Sequence, residues 1–247
     1  MRSKLFAPSC FLLGLLNHNM PVLGVSLVWV AIVALSFTTG PQWFAPSLIS
    51  LATFLFIGQA LVAYSMNHKF DDQLQSLFWL RTKHYSNLIF TKWLADLTVG
   101  LLLAGFAVIF ALVRQFSSNG QFFGNTFSSK ALLYAIGVYL LCLLLGTALG
   151  SLFQRAKLIS VRISAGIMLV LALFGTISAY IQQSYPWFKY ISWLLPPIGT
   201  HLTEMTASKR LVWSQLGFFC LASLLYTSVL FILEWLDYRQ HKLIRSL

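Results

Sequence analysis

Negative charge is scarce in this chain. Its 247 residues hold six carboxylates, Asp71, Asp72, Asp96, Glu204, Glu234 and Asp237, and no paired acidic motif of an intramembrane protease or lipid transferase can be assembled from them. Five histidines, His18, His68, His84, His201 and His241, are scattered and never form HExxH. Cys10, Cys142 and Cys220 lack metal-ligand spacing, and the last two lie in apolar runs, where a thiol behaves as a small hydrophobe. A Gly-rich phosphate loop followed by Lys and Ser or Thr is also missing. These absences argue against an enzyme and against a cofactor bound by this chain.

Charge of either sign is scarce as well. Charged residues make up 9% of the chain and hydrophobic ones 58%, with mean hydropathy +0.76; a soluble domain carries roughly 25% charged residues. The apolar residues fall into six blocks, Pro21–Thr38, Ser47–Met66, Leu88–Val113, Ala131–Phe153, Ile159–Ile181 and Leu211–Leu236. Each is near the length that crosses a bilayer, about 20 residues. Hydrocarbon offers no water to open backbone groups, so each span must be a helix or part of a closed barrel. Runs such as "LLLAGFAVIFALV" do not alternate as barrel strands do. The expectation is an all-α, polytopic membrane protein with six transmembrane helices in one transmembrane domain over 1–247.

Lys and Arg set the orientation. Arg2, Lys4, Lys69, Arg81, Lys83, Lys92, Arg155, Lys157, Arg162, Arg239, Lys242 and Arg245 fall on the side of both termini, against Arg114, Lys130, Lys189, Lys209 and Arg210 on the other. The positive-inside rule then puts both termini in the cytoplasm, in a cell membrane whose anionic inner leaflet meets most of the +11 net charge. The charge is spread over short loops, which argues against nucleic acid as a partner. The start, "MRSKLFAPSCFLLGLL", looks like a signal peptide but has no small-x-small cleavage site. A helix lying in the interface over about 1–20, in contact with membrane lipid, fits better.

One charged segment interrupts the greasy pattern. Across 68–87, Leu74, Leu77, Phe78 and Arg81 share a helical face, with Asp71 and Asp72 in the first turn and Arg81, Lys83 and His84 near the last. This pattern predicts a short amphipathic helix on the inner membrane surface. Asp96, inside the third block, lies one turn beyond Lys92 and is expected to pair with it near the headgroups. Glu234 and Asp237 read as boundary residues of the last span.

The order "DDQLQSLFWLRTKHYSNLIFTKWLAD" resembles the first cytoplasmic loop of ABC-2-type transporter permeases, with Asp72 at the acidic position, Leu77 and Leu80 at the Leu-rich turn, Tyr85 and Ser86 at re-entry, and Lys92 opening the third span. It differs in having Asp where Glu is commoner and "LRTKHY" in place of a Pro-containing turn. "YLLCLLLGTALGSLFQRAKLISV" is similar to the family's fourth span, and its Gly146 and Gly150 form a small-xxx-small face. "YPWFKYISWLLPPIGTHLTEM" is similar to the family's outer segment, folded there as short re-entrant helices; here it lies within 182–210. Tyr185, Trp187, Tyr190 and Trp193 would form an aromatic belt and Pro196 and Pro197 would break the helix pair.

The resemblance implies a coupling helix made by Asp71, Asp72, Leu74, Leu77, Phe78, Leu80, Arg81 and Tyr85. It would dock on a separate ATP-binding subunit that holds ATP and Mg, beside a second permease chain. The implied function is export of a hydrophobic or amphipathic substrate, of the kind moved by bacteriocin and peptide exporters. Two other classes remain open: an ion-coupled secondary transporter, for which Asp96 is the candidate site and no internal repeat is visible, and a non-transport membrane immunity or assembly protein.

Overall fold

The computed structural model describes residues 20–68, 85–154, 160–208 and 211–245. The chain runs through α1 (Met20–Ser36), α2 (Phe44–His68), α3 (Tyr85–Ser117), α4 (Ser129–Gln154), α5 (Val161–Ser184), the short α6 (Lys189–Ser192) and α7 (Gly199–Ala207), and α8 (Trp213–Arg245), with single 3-10 turns at Gly124–Thr126 and Pro186–Phe188. Among the described residues there is no strand.

Among the described residues, five helices are long and apolar enough to cross a membrane: Phe44–Met66, Ile89–Ser117, Ser129–Phe153, Arg162–Ser184 and Trp213–Asp237. The architecture is that of a multi-pass membrane protein. The first expected span, Pro21–Thr38, coincides with a shorter apolar helix. Described from Met20, α1 has 17 residues, and such a helix reaches about 25 Å against a hydrocarbon core of ~30 Å. Its last turn is closed by Gln42, whose Nε2 donates to the carbonyls of Ser36 (2.8 Å) and Thr39 (2.6 Å). The expected interfacial helix over about 1–20 and the amphipathic segment of 68–87 lie almost wholly outside the described residues.

Hydrogen bonds fix which connections share an end. The Gln42 amide donates to Phe122 O (3.0 Å), and the Phe44 amide to Thr126 Oγ1 (3.1 Å). Tyr134 Oη donates to Val212 O at 3.3 Å. The α1–α2 and α3–α4 connections and the approach to α8 therefore gather at one end. A phenylalanine cluster seals it: Phe44 meets Phe123 and Phe127 edge-on, each with ring centroids 5.0 Å apart. Edge-to-face geometry suits the ring quadrupoles. The Arg114 guanidinium lies 5.1 Å from the Phe122 ring centroid, and its Nε donates to Phe37 O.

The core lies where α2 packs along α4, the most extensive helix pair. Of the spanning windows, 67% of α4 and 61% of α2 is buried, against 22% of α8. The close approach needs glycine. A Cβ at Gly146 would stand 2.8 Å from Phe56 O, and at Gly150 it would fall against Ala60 O and 2.8 Å from Ala63 Cβ. Across the same seam, fully buried Gln59 donates from Nε2 to Thr147 Oγ1 of α4 (2.8 Å) and to the Asp96 carbonyl of α3 (3.0 Å). Its Oε1 crowds Gly100, where a Cβ would collide with it.

Small residues at this seam thus set the spacing, and one amide ties three helices. Gly150→Val is expected to destabilise the fold by about 1–3 kcal/mol through overpacking, read as a lower Tm in detergent. Gly105→Ala on α3, where a Cβ meets nothing, is expected to be neutral or mildly stabilising.

Candidate functional site

The coupling residues expected from the sequence, Asp71, Asp72, Leu74, Leu77, Phe78, Leu80 and Arg81, lie outside the described residues. Tyr85 is the first residue of α3. Two assemblies of polar or cavity-lining residues stand out in what is described, one toward each end of the bundle.

The first joins α3, α4 and α8 near the end opposite the phenylalanine cluster. Glu234 Oε2 accepts from Trp93 Nε1 at 3.1 Å and from Ser151 Oγ at 3.0 Å, while Trp93 Nε1 also reaches Ser151 Oγ at 3.1 Å. Phe231, about one helical turn before Glu234, packs edge-on against the Trp93 indole at 5.4 Å. Glu234 lies in the last turn of the final spanning stretch, as its reading as a boundary residue expects, and is 3% exposed, enclosed against α3 and α4. Lys92 and Asp96 on α3 are 3% and 1% exposed, so neither is open to water as the sequence led one to expect. A carboxylate excluded from water must be hydrogen-bonded to persist, and the indole and hydroxyl meet that need. Nothing in the linear pattern pairs Trp93 with Glu234; the signal was only a carboxylate inside an apolar run.

The second assembly is the segment between α5 and α8. After Tyr185 the chain forms the 3-10 turn and α6, passes Pro196 and Pro197, and enters α7. Tyr185, Trp187, Tyr190 and Trp193 are all exposed, whereas Pro196 is buried. The segment turns back along α5 and docks there through two glycines that sequence reading passed over. A Cβ at Gly199 would stand 2.5 Å from both Gly175 O and Ser178 Oγ, and one at Gly175 would meet Pro196 at 3.0 Å. Gly175 lies about 15 Å along α5 from Tyr185 at the helical rise. Tyr226 Oη of α8 reaches Leu194 O at 3.3 Å.

Between α5, this segment and α8 lies a cavity of about 640 Å³. Leu194, Leu195, Leu225, Val229 and Leu233 line its apolar wall, and Gln182, Lys189 and Ser192 supply polar groups. A smaller apolar groove of about 330 Å³ separates α1 from α2, between Gly24 and Gly58. Among the described residues no three His, Cys, Asp or Glu gather as metal ligands.

His201 on α7 lies 5.6 Å from the Phe219 ring, and burial lowers its pKa below the ordinary 6.5, opposed by nearby Glu204. The unfolded chain therefore takes that proton first, so stability present above pH 6.5 is lost as pH falls below it. Thermal unfolding in detergent is expected to show this loss, and His201→Asn to reduce it.

Two substitutions test the two assemblies. Glu234→Leu is expected to cost about 1–2 kcal/mol by removing two interhelical hydrogen bonds, with Glu234→Gln nearer wild type, both read as Tm. Gly199→Val is expected to unseat α7 from α5, seen as faster proteolysis within 185–210 of a chain whose helix content is unchanged.

Compared with models of protein families, with curated proteins and with solved structures, the chain has no match.

Proposed function

We propose that this chain is the membrane-spanning subunit of an ATP-driven exporter of the ABC-2 type. It would span the cell membrane six times, with α1 as the first and shortest span and both termini in the cytoplasm. ATP and Mg would be held by a separate ATP-binding subunit, and a second permease chain, identical or related, would complete the pathway. The substrate would be hydrophobic or amphipathic, a peptide, toxin or lipid-like molecule, leaving the membrane or cytoplasm.

One observation carries this reading: the broken α6–α7 segment folds back between the last two long helices and borders a largely apolar cavity. A polar solute would find few partners on that wall, whereas an apolar chain loses water contact along it. In this reading 182–210 is the outer re-entrant segment, with Trp187, Trp193, Pro196 and Pro197 in the gate region, and 68–87 is the coupling helix.

Buried Lys92, Asp96 and Glu234 favour a second reading, an ion-coupled secondary transporter. The two make opposite demands on energy. Co-expression with a candidate ATP-binding subunit should yield a stable complex whose ATPase activity falls several-fold in Leu77→Asp and Arg81→Glu. An intact complex with unchanged activity in both variants overturns the coupling assignment. Uptake or efflux in vesicles that follows an ion gradient without ATP selects the second reading.

A further inference from the structure

We propose that the cavity between α5, α6 and α8 is a binding site for one anionic phospholipid, with its phosphate at Lys189 and an acyl chain along α8. The site lies in the cavity that also carries the transport reading, but the lipid assignment rests on its shape and charge and holds whether or not the chain transports a substrate.

Three features converge. The first is the wall. Leu225, Val229 and Leu233 recur every four residues, so they form one stripe along α8, and all three are exposed at 70%, 55% and 47%. From Ala222 to Leu233 the lined stretch of α8 runs roughly 16 Å at the helical rise. That is close to the depth of one leaflet, half of a hydrocarbon core of ~30 Å. An acyl chain can lie along it without leaving apolar surroundings.

The second feature is the polar end. Gln182 sits in the last turn of α5 and Lys189 opens α6, so both border the cavity near the terminus of α5, away from Leu233. Ser192 joins them one turn later on α6. Lys189 forms no ion pair among the described residues, and neither Glu204 nor any other carboxylate lines the cavity. A cation with amide and hydroxyl donors at the mouth of an apolar slot is complementary to a phosphodiester, and the net negative charge of an anionic lipid suits it better than a zwitterion, whose ammonium repels Lys189.

The third feature is how the slot is kept open. Pro196 seated on Gly175, and Gly199 on Ser178, hold the broken segment against α5, while Tyr226 Oη fixes Leu194 to α8. Both walls are thus anchored, and the space between them is not closed by α5 packing on α8. Its occupant in a membrane is then an acyl chain, present at high local concentration and matched in length.

Native mass spectrometry of the purified full chain tests the site, with dioleoyl phosphatidylglycerol and dioleoyl phosphatidylcholine added in turn. One phosphatidylglycerol is expected to be retained in preference to phosphatidylcholine. Lys189→Gln should lower that preference about fivefold, the factor for one basic residue at an anionic surface, while leaving total lipid retention nearly unchanged. Val229→Trp, which fills the slot, should lower retention of both lipids. Lys189 is exposed, so its variant reads the headgroup even where the slot variant fails to fold. An unchanged preference in Lys189→Gln overturns the proposal. So does a slot variant that folds with wild-type retention, or one that loses only a dimer while keeping its lipid, which would assign the groove to a second copy.

Discussion

The bundle depends on how closely α2 approaches α4. In a membrane, lipid tails are as apolar as leucine, so helices gain little by hiding greasy surface from one another. Close backbone contact and interhelical hydrogen bonds must supply the preference. Gly146 and Gly150 supply the contact, since any Cβ at either would meet backbone oxygen of α2. Gln59 supplies the hydrogen bonds, reaching α4 and α3 from the same seam. The other helices are arranged around this pair: α2 also touches α1, α3, α5 and α7, and α4 carries α8.

This explains which parts of the fold were legible in the sequence. Span positions follow from composition, because hydrocarbon demands long apolar helices wherever they occur. The five long spans accordingly begin and end within a few residues of the apolar blocks. Gly146 and Gly150 carried a local signal, two small residues one turn apart. The end of α1 falls within two residues of the end of its apolar block, where Gln42 folds back onto Ser36 and Thr39. The docking of Gly199 on Gly175 was hidden. Each glycine is unremarkable in its own run, and only the return of the chain through Pro196 and Pro197 brings them together.

The polar cluster shows the same limit more sharply. Trp93, Ser151 and Glu234 come from three helices, and no periodicity relates them. Composition marks Glu234 as unusual, but it supports an interfacial position as readily as a buried one. What decides is whether donors lie within reach, and that depends on the crossing of α3, α4 and α8. The coupling segment is the reverse case: its amphipathic pattern and its resemblance are clear in the sequence, while its residues lie outside the described structure.

These contacts divide α8 into two unlike halves. Toward one end it is tied to α3 and α4 by hydrogen bonds to Glu234 and by the Phe231–Trp93 stack. Farther along, the stripe of Leu225 and Val229 faces a cavity instead of α5. The α8 helix is thus joined to α3 and α4 at the level of Glu234, approached through Val212 on Tyr134 of α4, and tied by Tyr226 to Leu194, with the apolar slot left among these contacts. An apolar occupant covers the stripe of α8 that these contacts leave open.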